Sequence, residues 1–214
     1  MKKFLYILLF FFNLNNFAQA IDLPKYYQFP ENYLKGKYHE TTKNFFIVAT
    51  EKLKDKRFKK SVIIMLDHDK QGALGIVINK PLGEVTIGSL IKGFDNENLK
   101  KDLLNYKVPI YWGGPLDNNK ILIVHSNDYQ NKNTKNYDKI SISNNYKALI
   151  DIAKKKGPTK RLVIIGVSAW TEGQLEGEID KGHWNLSEIT QDILFQEKNE
   201  KKYIMATENS FMRL

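Results

Sequence analysis

The sequence predicts an α+β domain built around a mixed sheet. Two observations carry that class: short apolar, β-branched runs recur along the chain, and capped helical segments fall between some of them without strict βαβ alternation. A third sets the scale. The length of 214 residues suits one domain, and 42% hydrophobic residues with 12 Phe, 11 Tyr and 3 Trp can fill a core, which excludes wholesale disorder.

Residues 45–49 (FFIVA) read as a buried strand. Residues 62–66 and 73–78 are two more, joined as a hairpin through the turn-forming residues 67–72 (DHDKQG), and Pro81 is expected to stop the second. Residues 87–91 and 97–104 look helical. Residues 108–112 and 121–125 form a second expected strand pair around the Gly113-Gly114-Pro115 connection. Ser143 can cap a helix carrying Tyr146, Leu149, Ile150 and Ala153 on one face, with Lys154–Lys156 at its negative end and Gly157-Pro158 as the stop. The continuous apolar run 162–167 predicts a central strand. Thr171 and Gln174 fit a capping box for a helix running to about Lys181, with Gly182 past its end.

The N-terminus has the three parts of a secretory signal peptide: Lys2 and Lys3, the apolar run 4–12, and the small-x-small sequence Ala18-Gln19-Ala20. The apolar run is shorter than the roughly 20 residues that span a bilayer, so no membrane span is expected in the mature chain. Residues 21–43, with Pro24, Pro30 and several tyrosines, read as an extended leader, leaving 44–214 as the single domain. The expected destination is the periplasm or the exterior, and cytoplasmic residence is the alternative. The absence of cysteine excludes disulfides, thiolate metal sites and thiol nucleophiles, and suits an oxidising compartment.

A formal charge of +9 invites a nucleic-acid reading. Lys, Asn and Ile are abundant throughout, as in a chain from a base-biased genome, so the charge speaks first to solubility. The densest basic stretch, residues 52–60, interleaves only Phe58, which suits a solvated turn better than a stacking surface.

Several residues are candidates for chemistry. Asp67-His68-Asp69 resembles a metal or acid/base cluster, but on extended backbone Asp67 and Asp69 share one face and His68 takes the other. His125, at a strand end, is a possible spatial partner; His39 and His183 show no paired spacing. Gly166-Val167-Ser168-Ala169-Trp170 falls where a nucleophile elbow would sit, but Trp170 occupies the position that needs Gly. Gly113-Gly114 offers backbone N–H groups to an anion, and no nucleotide motif is present. Asn79, Gln174 and Glu176 are further polar residues near strand ends and turns, where sites are commonly built.

In order along the chain, the segments 46–50, 58–62, Asp67-His68-Asp69, 72–82 (GALGIVINKPL), Gly113-Gly114-Pro115-Leu116, His125, and 166–184 with Gly173-Gln174-Leu175-Glu176 resemble the YqgE/AlgH family of bacterial proteins. The resemblance spans roughly residues 45–195. It implies a bifurcated, mostly antiparallel sheet curling into a pseudo-barrel with helices packed outside. Family members are labelled transcriptional regulators, and no settled activity or cofactor accompanies the family, so no cofactor is expected. This chain departs from it in carrying Ser168 where Ala is usual, Leu66 where a Cys commonly stands, and a signal-like extension that weighs against meeting the chromosome. Trp170 and Trp184 bracket the last predicted helix and are expected to clamp it to the sheet.

The leading expectation is thus an exported, non-catalytic domain that binds a protein or small ligand in the cell envelope. Two alternatives stand beside it: a cytosolic transcriptional regulator, and a hydrolase-like or metal-assisted enzyme using Asp67, His68, Asp69 and His125.

Overall fold

A computed structural model describes residues 41–92 and 99–210. The expected signal peptide, the leader up to residue 40, the start of the helix predicted at residue 97, and residues 211–214 lie outside the described residues. The described elements are β1 (Phe45–Ala49), β2 (Val62–Asp69), β3 (Gly72–Val77), β4 (Pro81–Thr86), α1 (Ile87–Leu90), α2 (Lys101–Leu104), β5 (Lys107–Trp112) and β6 (Leu116–His125). They continue as β7 (Thr134–Asn136), β8 (Ser141–Ser143), α3 (Tyr146–Ala153), β9 (Arg161–Thr171), α4 (Gln174–Asp180), β10 (Trp184–Glu188), α5 (Gln191–Leu194) and α6 (Asn199–Glu208).

The strands form one sheet in the order β10-β1-β2-β3-β9-β6-β8-β7, with the β4–β5 pair branching from β9. The long strand β9 causes the fork. Its first half pairs in parallel with β5 and antiparallel with β6, and its second half pairs antiparallel with β3. Every other pairing is antiparallel. The result is the mostly antiparallel, curled half-barrel with helices against it.

The curl divides the core in three. The concave face is filled by Phe46, Ile64, Ile76, Val124, Ile164 and their neighbours, and is closed by Ile193 and Leu194 of α5 and Ala206 of α6. On the outer face, Ile63, Met65, Val77 and Trp170 pack under Leu175 and Ile179 of α4. Farther along the same face, Val108, Ile123 and Val163 pack under Ile87 of α1 and Leu149 and Ile152 of α3. Burying each aliphatic side chain of this size contributes roughly 1.5–3 kcal/mol, so the alternation of strand residues between the two faces sets the architecture.

Several expected details are corrected. The turn 67–72 is tighter than predicted, because Asp67, His68 and Asp69 belong to β2 and pair with Leu74, Ala73 and Gly72. Pro81 opens β4 instead of ending a strand, the position where a missing N–H costs no ladder bond. Strands β5 and β6 do not pair with each other, because β9 lies between them. Asn145, not Ser143, caps α3 by accepting the Ala148 N–H, while Ser143 ends β8. The buried face of α3 is Ala148, Leu149, Ile152 and Ala153, with Tyr146 exposed. Gly173 is the N-cap of α4, and Gln174 completes only half of the expected box by accepting the Thr171 N–H. Gly166–Trp170 lies inside β9, so no strand-to-helix elbow exists at Ser168.

Candidate functional site

A β-bulge decides what His68 meets. The register between β2 and β3 shifts between Met65 and Asp67, so Leu66 and Asp67 both turn toward the concave side and His68 is moved to the outer face. There His68, Ala73 and Trp170 form one row across β2, β3 and β9, and α4 lies over it. The Thr42 backbone N–H donates to His68 Nδ1 at 3.0 Å. A backbone amide can only donate, so Nδ1 is the acceptor and the Nε2–H faces Glu176 Oε1 at 3.2 Å. Both residues are buried, at 3% and 8% exposure.

The flanking acids have other work. Asp67 pairs with Lys43 at 3.0 Å and accepts the His68 N–H. Asp69 accepts the Gln71 N–H at 2.7 Å and tightens the hairpin. The alternation expected from sequence holds: the acids are half-buried and the histidine between them points the other way.

His125 does not join them. Strands β2 and β6 are separated by β3 and β9, three steps of about 4.8 Å each. Fully buried, His125 donates from Nδ1 to the Ser126 carbonyl at 2.7 Å and accepts at Nε2 from the Ser143 hydroxyl at 3.0 Å. Burial pushes its pKa down, which keeps the ring neutral as those bonds require. Ser143 is fully buried too, so this serine–histidine pair locks β6 to β8 out of reach of any substrate. Among the described residues no cluster of three or more His, Asp or Glu has the geometry to hold a metal.

The remaining loop candidates are architectural. Asn79 accepts the Val62 N–H at 2.9 Å and donates to the Lys60 carbonyl at 2.8 Å, extending the ladder beside β2 with a side chain. Gly113 and Gly114 press against the β9 backbone: a Cβ on Gly113 would lie 2.2 Å from the Gly166 carbonyl oxygen, and one on Gly114 2.2 Å from Val167. The Gly113 N–H already donates to Ile165 O, and its carbonyl accepts from Val77 and from Ser168 Oγ. Gly113-Gly114 is thus a tight connection against β9, and the Gly113 N–H is not available to an anion.

Two cavities stand out among the described residues. The larger, about 330 Å³, lies where the β7–β8 turn comes round to face β1, β2 and β10, so the curl brings distant parts of the sheet to one opening. Its walls include Ile64, Leu66, Ile140 and Tyr137, whose phenol is pushed up to about 12, chiefly by burial. Its rim carries Asp138, Lys139 and Glu188, all exposed.

The smaller, about 160 Å³, is built more tightly. Trp170 on β9 and Trp184 on β10 both donate their indole N–H to Glu178 Oε2, at 3.0 and 2.7 Å. Gln174, one turn earlier on α4, donates to Glu178 Oε1 at 3.0 Å. Trp170 and Trp184 meet edge to face at 6.1 Å, Phe58 packs on Trp184 at 6.0 Å and on Trp112 at 5.3 Å, and Arg57 stands over Phe58. The expected tryptophan clamp on α4 is present, and Glu178 is its fastening. A carboxylate held by three donors against packed rings is a preorganised recognition group, whereas the larger cavity offers none held by packing. We therefore take the smaller pocket as the candidate site. Of the residues singled out from sequence, it contains Ser168, Trp170, Gln174 and Trp184.

Sequence reasoning missed Glu178. Its four-residue spacing from Gln174 places both on one helix flank and was a usable signal.

The family model described as AlgH-like matches residues 46–213. A UPF0301 protein of Rickettsia prowazekii is 36% identical over 150 residues, covering 68% of this chain and 76% of that one. A UPF0301 protein of Vibrio parahaemolyticus is 30% identical over 168 residues, covering 77% and 89%. The solution structure of the AlgH protein from Pseudomonas aeruginosa superposes with a TM-score of 0.68 at 26% identity, covering 81% of this chain and 90% of that one. A crystal structure of a Corynebacterium diphtheriae protein, 17% identical with a TM-score of 0.55 and covering 79% and 87%, shares the fold. With its matching sequence, forked sheet and curled half-barrel, the chain belongs to the AlgH-like family.

Proposed function

We propose that this chain is a non-catalytic binding protein of the cell envelope whose ligand or partner engages the pocket between α4, β9 and β10. The observation that carries the binding reading is the Glu178 carboxylate fixed by Trp170, Trp184 and Gln174 at a cavity wall. Such an arrangement recognises and orients. It does not supply a reactive pair: the one hydroxyl at the wall, Ser168, is 1% exposed and donates to the Gly113 carbonyl. The enzyme reading through Asp67, His68, Asp69 and His125 loses its support, because each group is engaged locally and the two histidines sit in separate parts of the sheet.

The envelope location is supported by the charged, apolar and small-x-small pattern of residues 1–20. Cell fractionation with N-terminal sequencing tests it. A chain beginning at Ile21 in the envelope fraction is the expected result. An intact Met1 in the cytoplasm would overturn the location and favour the alternative of a cytosolic regulator.

A further inference from the structure

Resting on the reading of this pocket as the binding site, we infer that it recognises a small organic ammonium group, such as a primary amine head or a basic side chain. The first reason is charge. Glu178 is held by neutral donors alone, and among the described residues no Lys, Arg or His stands within salt-bridge distance of it. The guanidinium that lines the same cavity is already neutralised there by Asp55, which lines it too: Arg57 makes several contacts to Asp55, the shortest 2.6 Å, and lies against Phe58. The pocket thus presents a fixed negative group without a paired cation.

The second reason is the wall. Trp170 and Trp184 flank the carboxylate, and Phe58, Leu53 and Pro115 add to the apolar part of the lining. A cation with an alkyl stem satisfies both features, through charge pairing at the carboxylate and ring contact along the stem. An anion would meet the carboxylate, and a neutral hydrocarbon would leave it unmatched. The third reason is size. A volume of about 160 Å³ admits one such head group and excludes a drug-sized ligand.

The chain carries 3 Trp, and all of them belong to this ring cluster, so intrinsic fluorescence reports the site directly. Purified full-length protein is titrated at constant ionic strength with n-butylammonium, tetramethylammonium, n-butanol, butyrate and glucose. The expected result is a saturable change with the two ammonium probes, at least about tenfold tighter than with n-butanol, and weakened by a similar factor in Glu178→Gln. The n-butylammonium to n-butanol ratio in the unaltered protein needs no variant to fold. Equal binding of the two, or preference for butyrate or glucose, overturns the ammonium assignment while leaving a binding pocket. Silence with every probe overturns both.

Discussion

Glu176 and Glu178 stand two residues apart on α4 and do opposite things. About 200° of helix rotation separates them, so they project from different flanks. Glu176 is 8% exposed and meets the Nε2–H of His68, whose other nitrogen is occupied by Thr42. Glu178 is half-buried and gathers two indoles and an amide at the wall of a cavity. The first interaction closes the structure, joining the entry to β1, β2 and α4. The second leaves a charge facing space. A buried polar network with its members engaged rigidifies, whereas a fixed charge at an opening is available for recognition.

The sharpest way to break this comparison is to remove each carboxylate. Glu176→Ala takes away the acceptor of a buried neutral imidazole N–H, and the expected cost is roughly 2–3 kcal/mol, the scale for orphaning a buried donor that had a carboxylate partner. Urea denaturation reads it as a lower midpoint with an unchanged slope. A cost near zero would mean that His68 and Glu176 are not a structural unit.

A third buried charge sharpens the contrast. Lys202 of α6 is fully buried, donates to the Ile78 carbonyl at 3.2 Å and lies over the Tyr111 ring. Burial lowers its pKa from 10.5 to about 8. Between these values the unfolded chain binds the proton more strongly, so stability rises with pH across that window, and below about 8 the burial penalty is fully present. Lys202→Met is expected to stabilise the protein at pH 7 by about 2 kcal/mol and to flatten the rise above pH 8. Urea midpoints of the unaltered protein that do not rise between pH 8 and 10, or that rise equally in Lys202→Met, would contradict it.

His125 gives a smaller effect of the same sign. Its pKa is lowered by burial, so the unfolded state takes up the proton first as pH falls below about 6.5. The stability it contributes is present above that pH and lost as pH falls toward the folded value. His125→Gln is expected to reduce the acid sensitivity between pH 7 and 5 while lowering stability at neutral pH. Comparing urea midpoints at the two pH values checks both.

The smallest stability change is expected at the candidate site. Glu178→Gln keeps one carbonyl-type acceptor for the indoles, so its cost should stay below about 1 kcal/mol. Ammonium binding should nonetheless be lost, as thermal melting with and without n-butylammonium will show. Glu176→Ala should be destabilised and Glu178→Gln should be unresponsive to the probe; the reverse assignment would end the comparison.

Much of the fold was legible because it is written in local pattern. The apolar runs at β1, β2, β3 and β9 fill buried strands, and Gly182 follows the end of α4 with φ of +69°. What escaped depends on distant partners. The insertion of β9 between β5 and β6 cannot be read from the Gly113-Gly114 connection, whose glycines answer to the β9 backbone. The bulge at β2, which sets the face of His68, has no local marker in Leu66-Asp67. Trp170, Trp184 and Gln174 were visible as polar-tipped residues around one helix, but their convergence on Glu178 arises because β10 returns to pair with β1 and places Trp184 beside α4.

The most direct measurement is the movement of indole N–H resonances in a nitrogen–proton correlation spectrum during titration with n-butylammonium. The account predicts that the Trp170 and Trp184 indole signals shift saturably, with the His68 and His125 regions still, and that Glu178→Gln abolishes the shift. Shifts centred on either histidine, or indole signals that do not move at any concentration, would contradict it.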